Sequence, residues 1–232
     1  MYRRVICPDL RGRGHSDWDP DYSNYIPATY LLDLLEIIDN EGLTSVHILG
    51  TSLGGILAMM MALSRPSVVA SVVLNDIGPE LDPRGLARIR DYTGKLDPVC
   101  SWDEAVAQSR MIYGQSLLGL NEAQWLEWAK CGYREDDLGN VTLDMDPKIG
   151  DAIRNSNPLS EDPWLMFQAL ANTPCLAIRG ALSDLLSEPT LEKMKSVKPD
   201  LKTLTVADRG HTPILNEPEV LGVLDEFYQN LD

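Results

Sequence analysis

Apolar and polar positions alternate in two rhythms along the chain. Arg3 to Cys7 (Arg-Arg-Val-Ile-Cys) is a short β-prone run stopped by Pro8, and it predicts a strand. Asp9 to Tyr25 is polar, is punctuated by Gly12, Gly14 and Pro20, and predicts a loop. From Thr29 to Asn40, Leu31, Leu32, Leu34, Leu35, Ile37 and Ile38 recur at helical spacing. Asp33, Glu36 and Asp39 take the opposite face, and Gly42 supplies the stop. Ser45–Leu49 predicts a second strand. Gly54–Leu63 predicts an apolar helix closed by Ser64-Arg65-Pro66, and the valine-rich Val68–Leu74 predicts a third strand.

Residues 79–170 break this rhythm. They hold Trp102, Trp125, Trp128 and Trp164, show no convincing strand, and predict short helices. Cys175–Ile178 and Leu201–Val206 then predict two more strands, and Pro218–Leu231 a closing helix. Strand and helix thus alternate on both sides of a helical block. That is the pattern of an α/β fold, a mostly parallel sheet flanked by helices with a helical cap inserted. The expected units are a core of residues 1–78 and 171–232 and a cap, or lid, of residues 79–170.

Composition narrows the function. The 232 residues carry a net charge of −15, which disfavours nucleic acid and anionic membrane, since both are held by clustered Lys and Arg. The longest apolar run, Ile56 to Leu63, is too short to span a membrane. Met1-Tyr2-Arg3-Arg4 is followed by Pro8 and Asp9 too soon for a signal peptide. Cys7, Cys100, Cys131 and Cys175 are far apart, so neither a zinc site nor a disulfide framework is expected. Buried free thiols in a reducing, cytoplasmic setting are. No metal or cofactor is called for.

The sharpest chemical signal is Gly50-Thr51-Ser52-Leu53-Gly54, which follows an apolar strand and opens an apolar helix. A serine on such a turn is lifted above the sheet edge, where the glycines on either side leave room and the helix start aims N–H groups at a ligand. A serine hydroxyl needs a base. His47 is mid-strand and His15 lies in a Gly-rich loop, so both read as packing residues. His211, on the loop after the last strand, points to the crevice where parallel sheets bind ligands. The base needs an orienting carboxylate. Asp184, six residues past the fourth strand, is favoured. Asp76, just after the third, is its rival.

These segments resemble the α/β-hydrolase superfamily. The matching stretches are Asp9-Leu10-Arg11-Gly12-Arg13-Gly14-His15-Ser16-Asp17, Gly50-Thr51-Ser52-Leu53-Gly54-Gly55, Arg179-Gly180-Ala181-Leu182-Ser183-Asp184 and Gly210-His211. The resemblance implies Ser52 as nucleophile, Asp184 as acid and His211 as base. It makes the Leu53 amide one oxyanion-hole donor and the Asp9–Asp17 loop a structural support. In the family about three strands and a helix precede that loop and bring the second oxyanion donor. Nothing in this sequence matches them, so the expected fold is a truncated α/β-hydrolase. The strand at Arg3–Cys7 should then shift to pair with Ser45–Leu49, or a second copy should fill the edge as a homodimer. The missing donor would be replaced by amides of the Asp9–Ser16 loop or by a cap side chain.

The function so implied is a serine hydrolase cleaving carboxylic esters of small or medium apolar substrates. C–C bond, lactone or amide hydrolysis is the alternative within enzymes, and a non-catalytic small-ligand binder the alternative outside them. Trp125, Trp128 and Trp164 are expected to line the substrate pocket or to pack the cap. Met59, Met60 and Met61 belong to the core, and Glu135-Asp136-Asp137 to a solvated loop.

Overall fold

The computed structural model describes residues 3–155 and 162–231. Its centre is a four-stranded, all-parallel sheet of strands β1 (Val46–Thr51), β2 (Val69–Asn75), β5 (Cys175–Gly180) and β6 (Lys202–Val206), ordered β1-β2-β5-β6. The register sets His47 beside Ser71, Val72 beside Cys175 and Gly180 beside Val206. Side chains alternate across the sheet, as strand geometry requires. Val72, Leu74, Cys175 and Ala177 enter one apolar cluster with Leu57, Met59, Met61 and Phe167. Val73, Leu176, Ile178 and Val206 enter another, on the opposite face.

The first face is covered by α1 (Pro27–Asn40), α2 (Leu53–Ser64) and α8 (Glu188–Val197), the second by α9 (Pro218–Gln229). The result is the three-layer sandwich expected of parallel strands, which cannot leave a face wet. Each fully buried leucine or methionine in it contributes roughly 1.5–3 kcal/mol. Among the described residues no helix is long and apolar enough to cross a membrane.

Between β2 and β5 the chain inserts α3 (Pro83–Tyr92), α4 (Trp102–Tyr113), α5 (Glu122–Lys130), the hairpin β3 (Tyr133–Glu135) and β4 (Val141–Leu143), α6 (Lys148–Asn155) and α7 (Pro163–Gln168). The helices match expectation, but the hairpin does not. Its strands have three residues each, too few for a readable alternation. The acidic run supplies its turn: the Asp136 carboxylate accepts from the amides of Leu138 and Asn140. Val99, Ala105, Ala129, Tyr133 and Val141 form a small separate core here, whereas Ile149, Ala152, Met166 and Phe167 join the main one.

Two expectations fail at the N-terminal side. Arg3–Cys7 forms no strand and joins no β-ladder among the described residues, and Val5 is 78% exposed. Five residues without a lateral ladder cannot fix an extended conformation. Side chains hold the segment instead: Arg3 donates to the Tyr228 carbonyl at 3.2 Å and lies over its ring, and Arg4 pairs with Glu41. The outer edge of β1 therefore has no strand partner among the described residues. The thiols also differ from expectation. Cys7, Cys100 and Cys131 are exposed, and only Cys175 is buried.

Candidate active site

All four central strands end on the same side, and each delivers part of one cluster there. β1 runs directly into Ser52, which adopts φ 50° and ψ −114° before α2 begins at Leu53. Positive φ is unusual for serine and puts its hydroxyl proud of the sheet. The turn fits because Gly50 and Gly55 lack side chains. A Cβ on Gly50 would lie in the Gly54 backbone, and one on Gly55 would lie in Ile77. Gly54 differs: a Cβ there would meet open space. Only one of the two motif glycines is therefore demanded by close approach.

His211 reaches Ser52 from the loop after β6, with Nε2 3.0 Å from the serine Oγ. Its Nδ1 lies 2.8 Å from Asp76 Oδ2. A proton on Nδ1 is donated to the carboxylate, which leaves the Nε2 lone pair free to accept the serine hydroxyl. Asp76 is fully buried at φ 53°, immediately after β2. Its charge is compensated by the Gly180 amide at 2.8 Å and the Ser183 hydroxyl at 2.6 Å. Three donors on one buried carboxylate match what burial of a charge requires.

The favoured acid is thus corrected. Asp184 does not contact His211; it forms a two-pronged ion pair with Arg88, at 2.6 Å to Nε and 2.9 Å to Nη2. The Arg88 guanidinium holds the Asp184 carboxyl below the usual carboxylate range. Asp76 and Asp184 follow adjacent strands, and spacing along the chain could not separate them. The distinction lies in reach. Asp76 leaves its strand directly beneath the imidazole, while the 182–185 turn carries Asp184 outward to α3.

Two supporting residues were not singled out from the sequence. Ser183 holds Asp76. Asn75 donates from Nδ2 to Thr51 Oγ1 and to the Pro213 carbonyl, both at 3.0 Å, and its own carbonyl accepts the Ser52 amide. Asn75 thereby ties the serine turn to the histidine loop. Ser183 sits inside the quoted Arg179–Asp184 stretch and Asn75 directly precedes Asp76, but nothing in their spacing marks a role.

The remaining candidates sort by placement. His47 bonds Ser71 Oγ at 2.8 Å and packs against Tyr228, as a sheet residue should. His15 is held through its amide by Asp9. In the Asp9–Ser16 loop, the amides of Gly12, Arg13, Gly14, His15 and Ser16 all donate within the protein, so none of these five can serve an oxyanion. Leu53 is the first residue of α2, and its N–H has no intrahelical acceptor.

The three tryptophans, expected either to line the substrate pocket or to pack the cap, stand in different surroundings. Trp125 is buried in the insertion under Arg110. Trp164 donates to Glu80 at 2.6 Å, packs on Phe167 and is covered by Lys193. Both pack structure. Trp128 meets Tyr113 edge to face at 5.4 Å. No cluster of metal-ligating side chains is present among the described residues.

The inserted segment reaches this site directly. Ser116 accepts the Gly210 amide at 2.6 Å, and Arg209 donates to the Leu118 carbonyl at 2.9 Å. A parallel sheet with a serine on a strained strand-to-helix turn, an imidazole and a buried carboxylate defines a hydrolase scaffold, and the sequence relationships agree. The Alpha/beta hydrolase family matches over residues 1–222, and the chain belongs to that family. It is 31% identical to the 3-hydroxybutyrate-oligomer hydrolase of Cupriavidus necator, over 97% of this chain and 79% of that protein. It is 26% identical to the proline iminopeptidase of Heyndrickxia coagulans, over 99% and 82%. In structure it resembles an alpha/beta hydrolase from Novosphingobium aromaticivorans, with a TM-score of 0.89 and 38% identity over 96% of this chain and 79% of that one.

Proposed function

We propose that the protein is a serine hydrolase cleaving carboxylic esters of small or medium apolar substrates through an acyl-enzyme on Ser52. The observation that carries this is the continuous hydrogen-bond line from Ser52 Oγ through His211 to Asp76. His211 Nε2 takes the hydroxyl proton as Oγ bonds to the ester carbon, and the carbonyl electrons move onto oxygen. Collapse of that adduct breaks the C–O bond, and the alcohol leaves with the proton from His211. Water then repeats the sequence on the acyl-serine, releasing the acid and restoring the hydroxyl. Asp76 keeps the imidazole in the required tautomer and stabilises its cation. The Leu53 amide at the start of α2 faces the developing oxyanion, and residues 79–170 act as the cap.

The ester reading is supported by the relative named for 3-hydroxybutyrate oligomers, whose repeat bond is an ester. The iminopeptidase relative supports amide cleavage as the second reading. A homodimer through the edge of β1 that lacks a strand partner among the described residues belongs to the same proposal, and concentration-independent sedimentation as a monomer would remove it.

The test is covalent. A fluorophosphonate should label the wild-type protein on one residue, Ser52, and should not label Ser52→Ala. An unlabelled wild-type protein would favour a ligand-binding scaffold instead. Turnover of short-chain against medium-chain nitrophenyl esters then reports the acyl preference.

A further inference from the structure

Among the charged pairs that the mechanism does not use, the half-buried Arg88–Asp184 pair borders the site. Arg88 lies on α3, the first helix of the insertion. Asp184 lies one residue beyond Ser183, which buttresses Asp76. The contact between these elements is tight: Gly85 donates its amide to the Asp184 carbonyl at 3.0 Å, and a Cβ on Gly85 would strike that carbonyl. Arg88 is thus held in place by backbone packing as well as by charge.

Its guanidinium is only half used. Nε and Nη2 grip Asp184, while Nη1 makes no hydrogen bond among the described residues. The side chain keeps 27% of its surface accessible, so a ligand can reach it. Around it stand Tyr92 and Tyr113, and Tyr113 packs edge to face on both Tyr92 and Trp128. A guanidinium can donate to two carboxylates, one along its Nε side and one at its Nη end. Other arginines of the insertion face acids elsewhere: Arg84 pairs with Asp82, Arg110 with Glu122 and Arg154 with Asp151. In a chain of net charge −15, an anionic substrate needs such a local cation to approach.

We propose that Arg88, positioned by Asp184 and Gly85 and walled by the Tyr92–Tyr113–Trp128 aromatic cluster, is a specificity-determining residue that receives the free carboxylate at the far end of the ester substrate. This rests on the serine-hydrolase reading and adds a substrate class to it: short hydroxy-acid esters with a terminal carboxylate, the apolar chain against the rings and the anion on Arg88.

The experiment compares the 3-hydroxybutyrate dimer with the same dimer capped as its dimethylamide, in wild type, Arg88→Gln and Arg88→Lys. Wild type should prefer the acid. Arg88→Gln should raise KM for the acid about 10- to 100-fold, the range expected for a charged hydrogen bond, and leave kcat/KM for the amide within about threefold. Arg88→Lys should restore part of the preference. Equal losses on both compounds would make Arg88 a mere tether and overturn the proposal, as would an unchanged preference.

A calorimetric titration of the dimer acid into Ser52→Ala, with and without Arg88→Gln, reads the subsite without turnover. Affinity should fall at least tenfold when Arg88 is replaced, and equal affinity overturns the subsite. Arg88-dependent binding by a protein that no fluorophosphonate labels would keep the subsite and discard the hydrolase reading. A labelled protein indifferent to Arg88 would do the reverse.

Discussion

Two aspartates stand at the ends of neighbouring parallel strands and do opposite things. Asp76 is fully buried, holds a left-handed backbone, and accepts hydrogen bonds from His211, Ser183 and the Gly180 amide. The Asp184 side chain is 30% exposed and spends its charge on one arginine from the insertion. A carboxylate near a histidine is therefore not enough to define a relay. In the proposed relay the acid is the one whose desolvation is fully compensated by fixed donors, because only that one cannot rotate away to water. The exposed one is free to bridge two parts of the chain.

The largest expected effect breaks the comparison directly. Asp76→Asn should lower kcat on a neutral ester by about three to four decades with the fold intact by circular dichroism, because the amide favours the wrong imidazole tautomer. Asp184→Asn should cost less than about tenfold on the same ester. If the two values were exchanged, Asp184 would be the functional acid and the static geometry misleading. Next comes the serine turn. Gly50→Ala should destabilise by about 1–3 kcal/mol or more, lowering the melting temperature by roughly 2–4 °C per kcal/mol. Gly54→Ala, with open space at its Cβ, should melt within a degree or two of wild type.

The smallest effect probes the dry strand that leads toward Asp184. Burial pushes the Cys175 thiol up to about 12 from its ordinary value of 9.0. Below pH 9 both folded and unfolded thiols keep their proton, so nothing is lost. Between about 9 and 12 only the unfolded thiol ionises, and stability falls as pH rises. Tyr25, raised to about 12 from 10.0 by burial and by its bond to Asp146, adds the same sign over the upper part of that window. Thermal melts from pH 8 to 11 should show this decline, with a shallower slope in Cys175→Ala.

Much of the fold was legible because it is written locally. Leu31 to Ile38 carries its helix in its own spacing, and β2 and β5 carry theirs in short apolar runs bounded by turns. The hairpin at 133–143 was not legible, since three-residue strands have no period. The five residues at 3–7 read as a strand because local propensity cannot see that a ladder partner is lacking. The same limit produced the error over the thiols: Cys7, Cys100 and Cys131 carry no mark of exposure.

By itself the sequence determined the parallel α/β order, the strained turn at Ser52, and His211 as the histidine on the loop after the last strand. Each follows from residues that are neighbours in the chain. The placement of Asp76 rather than Asp184 against His211, the edge of β1 without a strand partner among the described residues and the seat of Arg88 against Asp184 were decided only in three dimensions. They depend on which groups from distant segments arrive within about 3 Å of one another, and hydrogen bonds at that range are set by packing rather than by spacing.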